Sequence, residues 1–464
     1  MKNFYSHKTY LKVRDFILKK KLIKEQSKVI AAVSGGADSV FMLFCLLGLK
    51  KEFNFDLAVC HFNHMLRKEA DSELKFVEEL SRKLNLKFYS DRGDVEKYAR
   101  EKGVSVEMAA RVLRYNFFDR LLKEGKGDII ALAHNLTDSV ETFFLNIERG
   151  TGIRGLKGIS ARNEQIIRPV LCLDKDEIRK TLENFNIEYK VDESNFDNKY
   201  KRNLVRNVLI KDLKSVFGVK FEKSFKSLFE NVEASISAQG FFIENFLKDK
   251  AFIDENGARI KKDILLNLPD NVFFELMLFV FERVSGSTYK ISKRLLEELF
   301  EWVKIQGSSK RALFSDKSFF AVKTKDYFYL VKKDFFDGFS FKLLLPGEYS
   351  IPLGYKFVVE KTHEFVLSSQ NSFVILNKLF FNSSLNIGRI DFGKDYIVRK
   401  GKKVENLNRF LKKRGLSDFE RKTAFVLKRE NEVLFIPHVA VSETLKNIEN
   451  SGDLIKVYMK DCLG

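Results

Sequence analysis

Between Lys28 and Leu49 the chain reads KVIAAVSGGADSVFMLFCLLGL, and no other stretch constrains the fold as much. Val29 to Val33 is an uncharged run of β-branched residues and alanines. A run of strand length without polar alternation suits a strand buried on both faces. From Val40 to Leu49 the chain is again apolar, now over the length of a buried helix. Ser34-Gly35-Gly36-Ala37-Asp38-Ser39 joins the two. Strand, glycine turn and helix in that order aim backbone N–H groups and a helix N-terminus at one point, which makes an anion cradle. Paired glycines let the backbone approach a phosphate with no Cβ in the way, and Ser34 and Ser39 add hydroxyl donors. No lysine follows, which separates this turn from the GxxxxGK[ST] phosphate loop. A turn that serves chain geometry alone is the plainer alternative.

Further strands are expected at Asp56–His61, Lys87–Ser90, Asp128–Ala133 and Gln165–Val170, with helical segments between them. That pattern predicts an α/β fold with a doubly wound, five-stranded parallel sheet. Ligands of such sheets bind beyond the carboxyl ends of the strands. Residues 1–27 read as one basic amphipathic helix. From about residue 216, Phe-, Leu- and Lys-rich helical stretches such as DNVFFELMLFVFERV take over, and beyond Leu343 strand and turn signals return. The expected organisation is a catalytic domain over 1–215, a helical domain over 216–333 and a small, mostly β domain of α+β type over 334–464. A chain of 464 residues is long enough for two or three cores.

The formal net charge of +19 suggests a polyanionic partner, most often nucleic acid, although a lysine-rich proteome gives the same balance. Four cysteines lie far apart with no CxxC pair, which argues for reduced thiols and against a disulfide framework or a zinc or iron–sulfur site. The N-terminus has no apolar signal segment. The longest uncharged apolar run, Val40–Leu49, is about half of a membrane span. A soluble, cytoplasmic protein with no membrane partner is expected.

Several segments carry chemistry-bearing residues. His61-Phe62-Asn63-His64-Met65-Leu66-Arg67 closes the second strand. Cys60, His61 and His64 have metal-ligand chemistry, but no further ligand stands at metal spacing. A hydrogen-bonding strand-end loop, or a structural histidine, is the plainer reading. In Val106–Tyr115, Glu107, Arg111 and Arg114 share one helix face, opposite Ala110, Leu113 and Phe117. A solvated ion-paired face worth only ~0.3 kcal/mol is the alternative. After the fourth strand, Thr137 is placed to cap a helix whose first turns carry Asp138 and Glu141. The helix dipole alone favours acids there by ~0.3–1 kcal/mol, while two carboxylates at a strand end also suit an ammonium group or Mg²⁺. His134 is largely uncharged at neutral pH and serves as donor or base. The glycine-dense, basic stretch from Arg149 to Gly158 reads as a phosphate- or RNA-contacting loop, or as a plain connection. Arg202 and Arg206 stand at i, i+4. Arg409, Lys412, Lys413 and Arg414 give a C-terminal helix a basic face of the kind that contacts a phosphate backbone.

SGGADS in this setting resembles the PP-loop of the ATP pyrophosphatases, which split ATP between its α and β phosphates. HFNHMLR resembles the HxNHxLR stretch of one PP-loop family, the tRNA(Ile)-lysidine synthetases. So do Glu107–Tyr115 (ExxARxxRY), Ala133–Thr142 (AHxxxDxxET), Arg149–Gly158 (RGxGxxGLxG), Arg168–Leu171, Asp192–Asn195 and Tyr200–Arg206 (YxRNxxR). These matches run in order through residues 28–214. Past them only Leu407–Leu416 and Glu432–Ser442 are similar, and the family's GDR before that helix and proline after it are missing. The resemblance implies ATP contacts at Ser34, Gly35, Gly36, Ala37, Asp38, Ser39, His61 and Asn63. It implies Mg²⁺ on Asp38, and catalytic roles for Asp38, Arg114, His134 and Asp138. The shared helix face of Asp138 and Glu141, with Arg206 for the carboxylate, suggests a lysine site, the alternative being acids that serve the helix dipole or Mg²⁺ and an Arg206 that contacts phosphate; tRNA contacts are expected at Arg67, Arg149, Arg154, Arg202, Arg409, Lys412, Lys413 and Arg414. The implied reaction adenylates the wobble cytidine of a tRNA(Ile) with a CAU anticodon and replaces AMP by free L-lysine. A homodimer is compatible with it. The alternatives are a PP-loop tRNA thiolase, which needs cysteine pairs this chain lacks, and a non-catalytic RNA-binding protein on a decayed scaffold, against which the intact SGGADS and RNxxR segments speak.

Overall fold

The helix expected over residues 1–27 is in fact two, α1 (Lys2–Tyr5) and α2 (Lys8–Lys19). They break where the His7 ring accepts a hydrogen bond from the Thr9 N–H and caps the second. The structure, a computed structural model, describes residues 2–66, 70–190, 201–218, 221–286, 291–305, 307, 309–314, 318–336, 340–342, 346–362, 372–377, 385–447 and 454–463. It divides into two compact units, residues 1–238 and 239–464.

In the first unit the elements run β1 (Lys28–Ala32), α3 (Ala37–Leu49), β2 (Asp56–Asn63), α4 (Ala70–Lys83), β3 (Lys87–Arg92), α5 (Val95–Lys102), α6 (Val106–Lys123) and β4 (Ile129–Ala131). Then come α7 (Leu136–Glu148), α8 (Ile153–Leu156), β5 (Arg162–Asn163), β6 (Ile166–Ile167) and α9 (Lys175–Asn184). The sheet order is β3-β2-β1-β4-β6-β5, with β5 alone antiparallel. The five parallel strands match expectation, and the two-residue β5 is an added edge. Period-two alternation divides β1 between two cores. Val29, Ala31 and Val33 pack with Phe41, Leu43 and Leu182, while Ile30 packs with Phe117, Phe118 and Leu121 of α6. Both faces are covered, which is why the run carries no charge. From β1 the connection leads to β2 on one side, and from β4 it leads to β6 on the other. The carboxyl ends of β1 and β4 therefore flank the switch point where such sheets open a crevice.

Beyond α9, α10 (Lys201–Leu204), a π-helical turn (Val205–Leu209) and α11 (Ile210–Phe217) form one continuous run. The division between the units falls inside α12 (Phe221–Leu247).

After the end of α12 the second unit continues with β7 (Ala251–Asp254), β8 (Gly257–Lys261), α13 (Lys262–Leu266), α14 (Asp270–Ser285), α15 (Lys293–Lys304), β9 (Ser309–Ala312), β10 (Phe319–Lys323) and β11 (Tyr327–Lys332). Its antiparallel sheet, order β7-β8-β11-β10-β9, lies where helices alone were expected. The missed cue is the turn between β7 and β8, where Asp254 Oδ1 accepts from the N–H groups of Asn256 and Gly257 at 2.8 and 3.1 Å. Later strands form two further antiparallel sheets and a hairpin, with short helices at Leu407–Lys413 and Asp418–Thr423. Among the described residues no helix is long and apolar enough to cross a membrane.

Candidate active site

Asp38 and Asp138 stand in the first turns of the helices that follow β1 and β4, and the charge of Asp138 acts on Asp38. Gly35 has φ +94°, a conformation that favours glycine, and a Cβ there would meet Phe76 at 3.5 Å. Gly36 differs. Its φ of −72° suits any residue, and the nearest atom to an added Cβ is Ser34 Oγ at 3.6 Å. The backbone does not need a glycine at 36, so the missing Cβ leaves a cradle open above the turn. Ser39 holds the turn by donating to the Gly36 carbonyl at 2.8 Å and accepting from the Ser34 N–H at 3.2 Å. Ala37 is buried at the start of α3, whose N-terminal N–H groups no side chain caps.

Asp38 follows in the first turn of α3, and its Oδ1 is buried without a hydrogen-bond partner. Burial pushes its carboxyl up to about 6. The negative charge of Asp138 adds to this, and Lys175, Asn135 and Arg179 oppose it. An orphaned carboxylate oxygen beside a second acid fits a divalent cation, which supplies the missing partner and offsets the like charges.

Asn135, not Thr137, caps α7. Its Oδ1 accepts from the Asp138 N–H and Asp138 Oδ2 accepts from the Asn135 N–H, both at 3.0 Å, forming a capping box. The Thr137 hydroxyl instead accepts from the Lys175 N–H at 3.3 Å and ties the start of α9 to α7. Glu141, with no exposed side-chain surface, takes Arg202 Nε at 2.8 Å and is gripped by the Arg206 fork through Nε and through Nη2 at 3.0 Å. Asp138 Oδ1 accepts from Nη2 of Arg206 at 3.2 Å and of Arg202 at 3.4 Å. The structure thus brings Asp138, Glu141 and Arg206 together, but as partners of one another. Arg202, expected on tRNA, belongs to the same cluster. The π-helical turn contains Arg206, a feature frequent at functional sites.

Four arginines, among them the Arg202 that binds the acids, act on His134. Arg168 Nε donates to His134 Nδ1 at 3.2 Å, so the ring proton is on Nε2. Burial, and then the charges of Arg168, Arg202, Arg114 and Arg111, lower the His134 pKa to about 3. With Nδ1 engaged by Arg168, His134 presents an N–H donor at Nε2 and no free basic nitrogen. Arg114 Nε is buried with no hydrogen-bond partner, and burial disfavours its charge. Its nearest charged neighbours include Arg111 and Arg202, so an anion is the missing partner. Arg111 lies over the Tyr115 ring at 4.4 Å and donates to its hydroxyl at 3.0 Å.

His61 Nδ1 donates to the Val33 carbonyl at 2.8 Å, which fixes the ring behind the turn with Nε2 free to accept, and burial lowers its pKa. The Asn63 amide is used locally, donating to Asp71 and accepting from the Met65 N–H, both at 2.9 Å. Arg149 is exposed at the end of α7, and Arg154 is half-buried in α8. Arg67 and the Asp192–Asn195 segment lie outside the described residues. Arg409, Lys412, Lys413 and Arg414 are exposed in the second unit, where Arg414 Nη1 donates to the Val439 carbonyl at 2.6 Å.

Sequence reasoning missed Lys175 and Arg179. Lys175 is half-buried at the first position of α9, and its charge interacts with Asp38, Asp138 and Arg206. The available signal was Asp174-x-x-Glu177, a capping box that fixes a helix start just beyond the last parallel strand.

Residues 6–213 match the PP-loop domain family. Over 454 residues the chain is 29% identical to the tRNA(Ile)-lysidine synthase of Thermosipho africanus, covering 95% of each protein. It is 31% identical over 334 residues to the tRNA(Ile)-lysidine synthase of Clostridioides difficile, covering 70% of each. With that of Clostridium perfringens the identity is 42% over 197 residues, 42% of each chain.

Proposed function

We infer the activity from the family: this chain belongs to the tRNA(Ile)-lysidine synthases, and it uses ATP to join lysine to a cytidine of tRNA(Ile). The target is read as the wobble cytidine of a CAU anticodon and the nucleophile as free L-lysine. Two steps balance the chemistry. The cytosine C2 oxygen attacks the α phosphate of ATP and pyrophosphate leaves. The lysine ε-amine then attacks C2, and the C2–O bond breaks to release AMP. Between the steps the ε-ammonium, pKa ~10.4 in water, gives up a proton.

One observation carries the assignment to this site. Asp38, with a buried oxygen that lacks a partner, stands at the helix N-terminus beyond a turn whose Gly36 leaves space for a ligand. Asp38 would hold Mg²⁺ through its unpartnered oxygen, and the ion offsets phosphate charge when bound. The turn amides and Ser34 receive phosphate oxygens. Arg114 answers negative charge that develops during transfer, and His134 donates through Nε2. An unpaired cytosine in an anticodon loop is reached without opening a duplex.

For lysine, Asp138 is the reachable acid, its side chain 14% exposed against 0% for Glu141, and Arg206, 20% exposed, is the cation paired with it in the lysine site. An arginine paired with a carboxylate is complementary to the amino acid's own zwitterion, so lysine exchanges partners with it, and Glu141 stays behind as counter-charge. The second unit, with its exposed basic helix, is read as tRNA-holding, and the enzyme as cytoplasmic. The thiolase alternative is not favoured, since the four cysteines are free and Cys45, Cys60 and Cys172 are buried.

The test separates the half-reactions. Arg206→Ala and Asp138→Asn should still release pyrophosphate in a single turnover with tRNA, while the KM for lysine rises ~10–100-fold. Loss of pyrophosphate release with unaltered lysine dependence would move these residues to the nucleotide.

A further inference from the structure

Away from the catalytic turn, the second unit contains a cavity of 330 Å³ between the β11 side of its first sheet, the turn before Tyr355 and the helix Asp418–Thr423. That volume sits at the low end of the ~300–1,000 Å³ of small-molecule sites. Aromatic rings from Tyr327, Tyr329, Phe335, Tyr355 and Phe419 form part of its wall, and aliphatic residues such as Leu353, Ile436 and Val439 form the rest. Tyr329 and Phe419 hold each other with ring centroids 4.7 Å apart. Behind them Arg259, fully buried, donates to Asp461 Oδ2 at 3.0 Å and lies 3.9 Å from the Tyr355 centroid and 4.8 Å from that of Tyr327. The platform is therefore set before any ligand arrives.

The charge is divided in an informative way. Two acids, Asp326 and Glu420, line the cavity, and among its described lining residues there is no lysine or arginine. A phosphate, or the α-carboxylate of a free amino acid, would meet only like charge there. Just outside, the chain that reaches the lining residue Leu416 comes from the exposed Arg409, Lys412, Lys413 and Arg414. Acids and rings inside with cations outside suit a flat, uncharged group that bears N–H donors and is tethered to an anionic backbone.

We propose that this cavity takes an unpaired nucleobase of the RNA substrate, one other than the reacting cytidine, stacked on Tyr355 or Phe419 with an exocyclic amine toward Asp326 or Glu420. The inference rests on the reading that the chain acts on tRNA. It follows the general pattern in which a basic track holds the backbone and aromatic rings take the bases.

Tyr355→Ala removes a stacking ring and Ala424→Trp fills the cavity. Each should weaken tRNA binding about tenfold with ATP binding intact and the slope of log affinity against log salt unchanged. Lys412→Ala with Lys413→Ala should instead reduce that slope by about 0.7–0.9 per lost contact. In the wild-type protein, ultraviolet cross-linking to unmodified tRNA should join a base to a peptide containing Tyr327, Tyr355 or Phe419. This last readout decides the matter even where a variant fails to fold. Wild-type tRNA affinity in both folded cavity variants would overturn the proposal, and so would cross-links confined to residues 1–238. If the wild-type protein bound no tRNA, the family reading would fail first, which is a separate outcome.

Discussion

Gly35 and Gly36 stand side by side for different reasons, and substitution separates them. At Gly35 the positive φ makes any side chain strained. At Gly36 the backbone is ordinary and the space belongs to the ligand. Gly36→Val should therefore melt within ~1 kcal/mol of the parent protein and yet release no pyrophosphate. A native rate of pyrophosphate release in that variant would remove the turn from the nucleotide site. Asp38 makes a second prediction at this scale. Its carboxyl titrates at about 6 in the folded chain against an ordinary 3.8, so the folded state binds the proton more tightly than the unfolded one. In the absence of ligand this group lowers stability as pH rises from about 4 to 6, and the cost persists above. Asp38→Asn should raise the melting temperature at pH 7, by a free energy on the order of 3 kcal/mol, leave it nearly unchanged at pH 4, and abolish pyrophosphate release. His134, held near 3, acts with the opposite sign and loses stability as pH falls below its ordinary 6.5. The comparison must therefore be variant against parent at each pH. A lower melting temperature for Asp38→Asn at neutral pH would contradict the account.

At the scale of elements, α7 and the helical run from Lys201 to Phe217 are joined by one buried carboxylate. Glu141 holds two arginines that lie 61 and 65 residues further along the chain. Glu141→Gln keeps the shape and removes the charge, which leaves both guanidinium groups to Asp138. Unbalancing a buried pair costs about 3–5 kcal/mol, whereas Glu148→Gln, in an exposed pair with Lys201, should cost under ~1 kcal/mol. Urea melts of the two variants check this, and equal midpoints would refute it. These elements also show what sequence discloses. Period, strand length and the glycine turn made β1, α3 and the strand-end placement of the site legible, because those signals are local. The SGGADS and AHNLTDSVET segments named most of the residues that the crevice collects. The closure of Glu141 on Arg202 and Arg206 was not legible, since no local pattern encodes which distant cation a buried acid receives. Asn135 and Thr137 are both good caps two residues apart, a spacing that preference alone does not resolve. The sheet within 216–333 is masked in sequence because its strands are short and Phe- and Lys-rich like the helices beside them, leaving the Asp254 turn as the local cue.

Across the whole molecule, each unit has its own buried core, and the chain carries a net charge of +19. The first unit contains the ATP-type turn and the second presents exposed cations with an aromatic cavity, a division suited to an enzyme whose large substrate is a polyanion. Family membership, the open cradle at Gly36 and the unpartnered oxygen of Asp38 converge on one claim, that this protein makes lysidine on tRNA(Ile). The most direct measurement incubates the purified full chain with ATP, Mg²⁺, labelled lysine and tRNA, digests the RNA and identifies the labelled nucleoside. Label should appear in a single nucleoside of lysidine mass, derived from the wobble cytidine of a CAU-anticodon tRNA(Ile), with one AMP and one pyrophosphate per lysine joined. Absence of label in RNA despite tRNA binding, or label that forms without ATP, would contradict that claim.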